Sequence, residues 1–112
     1  MKTSDWQQLL IRDGGYCLHC GETESLSPNH RANRGMGGSK LANVPSNYVL
    51  ICSWLNERIE GSAYYRELAI ENGWKVSKFE DWRTVPVFDA CSGVWFLLND
   101  DWTRKVVSER NL

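Results

Sequence analysis

Apolar residues recur at helical spacing in three stretches of the chain and at extended spacing in five. Trp6, Leu9 and Leu10 share one face of a short helix, with Ser4 and Asp5 as its expected N-cap and Gly14-Gly15 as its end. Residues 25–30 predict a strand that Pro28 places at an edge, and Tyr48–Cys52 predicts a second strand able to pair with it. Ser53 is the expected cap of a helix carrying Trp54, Leu55, Asn56, Ile59 and Glu60. Gly61 and Ser62 break that helix, and a further one runs from Ser62 to Asn72, stops at Gly73, and packs through Tyr64, Tyr65, Leu68 and Ile70. Residues 84–90 and 94–98 form a predicted hairpin around Cys91-Ser92-Gly93. A turn at Asn99-Asp100-Asp101 leads to a third strand over residues 102–107. The aromatic residues of this C-terminal part read as core filling.

The order of these elements predicts one small α+β domain over residues 1–112. Between the first two strands, residues 31–46 are mainly glycine, serine, asparagine, proline and basic, which predicts a long loop. In a domain this small such a loop is usually functional.

Composition narrows the classes. With 112 residues, 42% hydrophobic content and six tryptophans, the chain can bury a core of its own. A net charge of −1 argues against coating nucleic acid by bulk electrostatics. The charge is uneven, however: Arg31, Arg34 and Lys40 are the only charged residues between His30 and Lys40, a local basic patch suited to holding a polyanion and releasing it. No apolar window is long enough to span a bilayer, and Asp5, Gln7 and Gln8 interrupt any signal-peptide pattern. The expectation is a soluble cytoplasmic protein without a membrane partner. There the four cysteines are metal ligands or buried thiols rather than disulfides. Cys17-Leu-His-Cys20 followed by Gly21 has the shape of a zinc knuckle, in which a tight turn aims two thiolates at one ion. His19, inside it, reads as exposed.

The candidate chemistry sits between residues 27 and 60. His30 ends the first strand and Asn47 follows the loop. Asn56 and Glu60 are four apart on a helix, so their amide and carboxylate share a face and can address one ion.

This spacing resembles the HNH endonucleases, the His-Me finger or ββα-metal group, over residues 17–60. The segments H-R-A-N-R-G-M-G-G-S, P-S-N-Y-V-L-I-C and P-V-F-D-A-C-S-G-V-W-F-L-L extend the likeness to small free-standing HNH proteins of actinobacterial bacteriophages. The resemblance implies a ββα-metal core over residues 17–60, flanked by the N-terminal helix and a 61–112 extension of helix plus β-hairpin. It makes His30 the general base and pairs Asn47 with it in catalysis, the asparagine side chain holding the loop and keeping the histidine oriented. Asn29 and Asn56 become metal ligands, with Glu60 a further one. Arg31, Arg34 and Lys40 would hold phosphates of DNA, and the glycine-rich loop would let the DNA approach closely.

The chemistry is self-consistent. An imidazole, which titrates near 6.5 in water, can take a proton from water near neutral pH. A divalent ion stabilises the phosphorane charge and the leaving oxygen. Asn29 stands where the family most often has Asp or His, so the shell is three oxygen donors with one formal charge. Such a shell favours Mg²⁺ or Mn²⁺, weakly held, so that millimolar magnesium is required. Many relatives close a structural zinc site with two Cys-x-x-Cys pairs. Cys17, Cys20 and Cys52 fit three of those places and Leu55 occupies the fourth, so either zinc is absent or His19, Cys91 or a water completes the shell. Two other functions stand beside the nuclease: a catalytically weak nucleic-acid-binding or phage-packaging accessory, and a structural zinc-knuckle protein acting through partners.

Overall fold

The computed structural model describes residues 1–32 and 42–108. The phosphate contacts expected of Arg34 and Lys40 therefore lie outside the described residues.

Helix α1 (Thr3–Asp13) starts earlier than its expected cap. Lys2 precedes it in extended conformation with no side-chain cap, and Asp5 instead lies in the first turn, where a carboxylate favours the helix dipole. Its end is the expected one, Gly14 adopting a φ of 81°. The helix is more than an apolar packing element, because its last two residues are buried and polar. Arg12 donates to Asp13, to the Pro45 carbonyl at 2.8 Å and to the Tyr48 carbonyl at 2.5 Å. Asp13 in turn accepts the Leu50 amide at 3.0 Å.

Strands β1 (Leu26–His30) and β2 (Tyr48–Cys52) pair antiparallel, Leu26 opposite Cys52 and His30 opposite Tyr48. Helix α2 (Ser53–Gly61) follows β2 without a linker. Its cap is Cys52, whose sulfur accepts the Leu55 amide at 3.5 Å; Ser53 is already the first helical residue. Helix α3 (Ala63–Glu71) begins as expected, with the Ser62 hydroxyl accepting from the Tyr65 amide. At Gly73 the chain turns with φ 74°, and a Cβ there would sit 1.9 Å from the Pro86 carbonyl oxygen, so only glycine fits.

The second sheet has the order β3-β4-β5, formed by β3 (Val87–Asp89), β4 (Val94–Leu98) and β5 (Arg104–Val107). β3 is shorter than expected because Trp82–Thr84 forms a 3-10 turn capped by Asp81. β5 starts late because Trp102 has a φ of 66°, outside the extended region. One apolar cluster joins the two sheets to α2, including Leu18, Val49, Ile51, Leu55, Ile59, Trp74, Val87, Phe96 and Leu98. Ala32, Val76, Trp82 and Val85 form a second. Several C-terminal aromatics do fill the core, but Trp102 stays half-buried. Among the described residues no helix is long and apolar enough to cross a membrane.

Candidate active site

The β1–β2 hairpin delivers His30 as the last residue of β1, with its ring tilted against Tyr48 at 4.5 Å between centroids. Nε2 lies 2.8 Å from Asn43 Oδ1, an atom that only accepts, so the neutral ring carries its proton on Nε2 and keeps the Nδ1 lone pair for other chemistry. The Tyr48 hydroxyl donates to the same Oδ1 at 3.3 Å. Sequence reasoning missed Asn43. It stands in a proline- and asparagine-containing stretch where no spacing rule separates a functional asparagine from a turn residue.

Asn29, His30, Asn56 and Glu60 line one cleft of about 190 Å³, together with Trp74 and Lys75. The Asn29 amide nitrogen is committed to Ser27, donating to its carbonyl at 3.1 Å and its hydroxyl at 2.9 Å, which leaves the amide oxygen as the atom free for a ligand. Asn56 and Glu60 reach the cleft from successive turns of α2. Amide and carboxylate oxygens, which all three side chains carry, are the donor type that a hard divalent ion takes. Lys75 adds a cation beside them and was also missed, because it enters only through the turn after α3.

Asn47 does not line this cleft. It is fully buried, its Oδ1 accepting from the Ala32 amide at 2.9 Å and its Nδ2 donating to the carbonyls of Ala32 and Ala42 at 3.0 Å each. Its own carbonyl accepts the Arg31 amide. Asn47 thus ties residue 32 to residue 42 and fixes the exit of β1, the loop-holding part of the expected role. Its side chain is committed to the backbone on both sides of the loop, away from the cleft.

The phosphate contact expected of Arg31 is corrected by its burial. Arg31 is 0% exposed, and its guanidinium donates to the carbonyls of Gly73 (2.8 Å), Ser46 (3.1 Å), Trp82 (2.9 Å) and Val85 (2.6 Å). A planar fork with five donors can satisfy several carbonyls at once, and this one fastens three segments together instead of facing DNA. Ser46 is also held from the other side by Asp100, which takes the Arg83 guanidinium at 2.8 Å.

A second donor cluster lies at the opposite end of the hairpin. The sulfurs of Cys17, Cys20 and Cys52 lie within 4.8 Å of one another, an arrangement able to hold a metal ion. Neither His19 nor Cys91 belongs to that cluster. His19 is half-buried rather than exposed, packing edge-on against Tyr65 and Trp74; desolvation lowers its pKa, which favours the neutral ring. Leu55, in the place of a fourth cysteine, is fully buried. Burial pushes the Cys17 thiol up to about 11, so an ion binding there must displace its proton. The open side of the cluster, at Cys20 and Cys52, faces a cleft of about 410 Å³ that Glu22 and Glu24 also line.

No family model, no curated protein and no solved structure matches this chain. The roles of these residues therefore rest on geometry and chemistry.

Proposed function

We propose that the chain is a metal-dependent DNA endonuclease hydrolysing phosphodiester bonds by the chemistry of the HNH enzymes that its sequence resembles. The observation that carries this reading is the single cleft holding His30, Asn29, Asn56 and Glu60. The β1–β2 hairpin running directly into α2 has the ββα order that the resemblance implies. Mg²⁺ or Mn²⁺, held by Asn29, Asn56 and Glu60, supplies charge to the phosphate and to the leaving 3′-oxygen when bound. His30 Nδ1 accepts the proton of the attacking water, while Asn43 keeps Nε2 protonated and the ring in place. The water oxygen bonds to phosphorus, the bond to the 3′-oxygen breaks, and that oxygen takes a proton from solvent. Lys75 is placed to meet a phosphate oxygen.

The test is supercoiled plasmid incubated with the protein in Mg²⁺, in Mn²⁺ and in EDTA. Nicked or linear product should appear only with the metals. Glu60→Gln removes the only formal charge of the shell, so the Mg²⁺ concentration for half-maximal cleavage should rise about tenfold or more. An unchanged requirement would remove Glu60 from the shell. Binding of DNA by gel shift without any cleavage would favour the accessory, packaging-type reading over the enzyme.

We assign zinc to the cysteine cluster. The 3.7 Å between the Cys20 and Cys52 sulfurs is close to the ~3.8 Å edge of a tetrahedron built on zinc–sulfur bonds of about 2.3 Å. With His19 and Cys91 outside the cluster, a water on the cleft side completes the shell. Protein purified without chelators should contain close to one zinc per chain by elemental analysis, and Cys52→Ser should lose most of it. A ratio near zero in the wild type would make the three thiols plain core residues.

A further inference from the structure

A larger cleft, of about 470 Å³, adjoins the proposed active site through Asn43 and Tyr48, which both border it along with Lys2, Asp5 and Trp102. His30, Tyr48 and Trp102 form a series of rings. The first pair lies 4.5 Å apart at 34° and the second 6.5 Å apart at 25°. Unlike Trp74 and Trp82, which are buried in the core, Trp102 is half-exposed at the cleft. Its backbone has a φ of 66°, a region that a bulky side chain rarely adopts. The surrounding turn enforces it: Asp100 accepts from Ser46 and Arg83, and the Asn99 amide donates to the Thr103 carbonyl at 3.0 Å.

We propose that this cleft binds an unstacked nucleobase next to the phosphate at His30, so that the protein selects DNA with a single-stranded or frayed flank. The proposal rests on the endonuclease reading above and names its substrate class. The Trp102 ring, with Tyr48 stacked beside it and the Arg12 guanidinium 5.5 Å from its centroid, keeps a half-exposed part at the cleft, a π surface on which any base can stack. Lys2 is positioned for the flanking phosphate, while Asp5 and Asn43 present polar atoms to a base edge. The volume takes one planar group with its sugar, not a duplex. A base stacked inside a continuous duplex cannot reach Trp102, whereas one already unpaired reaches it at little cost. Asn43 Oδ1 touches both His30 Nε2 and the Tyr48 hydroxyl, so an occupant of the cleft abuts the group that holds the histidine.

The experiment measures fluorescence anisotropy without added Mg²⁺ or Mn²⁺ and without chelator, with two labelled DNAs, a blunt duplex and the same duplex carrying a single-stranded tail. Wild-type protein should bind the tailed DNA roughly tenfold more tightly, the scale of one base–aromatic stack. Trp102→Gly removes the ring while suiting the left-handed backbone, and should abolish that preference with blunt-duplex affinity unchanged. Trp102→Phe keeps a ring and should retain most of it. A preference that survives in Trp102→Gly, or its absence in the wild type, overturns the cleft assignment while leaving the endonuclease reading standing. Failure to bind either DNA overturns both.

Discussion

Arg31→Leu should destabilise the domain by about 3 kcal/mol or more, read as a lower urea midpoint with unchanged slope. The guanidinium satisfies carbonyls from the turn after α3, from the segment leading into β2 and from the Trp82–Thr84 turn and the residue after it. Leucine fills part of the volume but leaves those carbonyls without a donor, each at roughly 1–3 kcal/mol before the structure relaxes. A domain of this size has only about 5–15 kcal/mol of total stability, so the variant should be partly unfolded at 37 °C. Lysine should rescue little, because a single ammonium cannot span the carbonyls that a planar fork reaches. The opposite outcome is equally clear. A stable Arg31→Leu protein with weakened DNA binding would restore the phosphate role that the sequence suggests.

His30→Ala should lower plasmid cleavage by about 10²–10⁴-fold, the usual contribution of a positioned general base, while the thermal transition stays close to that of the wild type. The fold should tolerate the change because His30 is exposed, with its ring resting on Tyr48 and, among the described residues, bonded only to Asn43. The DNA affinity of the variant should be nearly unchanged, which separates a chemical role from a binding one. Equal cleavage by both proteins would mean that another group activates the water. Equal inertness, with both still shifting DNA, would leave a binding module.

The two effects fall on neighbouring residues, and the contrast explains which parts of the site are legible in a sequence. Side chains alternate across β1, so His30 and Arg31 diverge as soon as the strand ends. The histidine reaches the cleft and the arginine enters the core. In the sequence the histidine ends a predicted strand and the arginine opens a basic loop, and nothing local distinguishes the arginine that meets carbonyls from one that meets solvent. Asn47 shows an intermediate case: its link to the loop follows from the resemblance, but the clamp between Ala32 and Ala42 depends on where the loop closes.

Element order, the ends of most helices and strands, and the one-turn relation of Asn56 to Glu60 are properties of short windows. Periodicity and backbone geometry fix them, and the sequence determined them by itself. The approach of Cys52 to Cys17 and Cys20 is what the family resemblance implies, though only as three of four places. Tertiary structure alone decided that Arg31 is internal, that Asn43 holds the imidazole, that Lys75 joins the cleft and that Cys91 stays outside the cysteine cluster. The reason is the same in each case. The Arg31 carbonyl partners lie 15 to 54 residues away in the chain, and a charge is buried only where such distant acceptors converge.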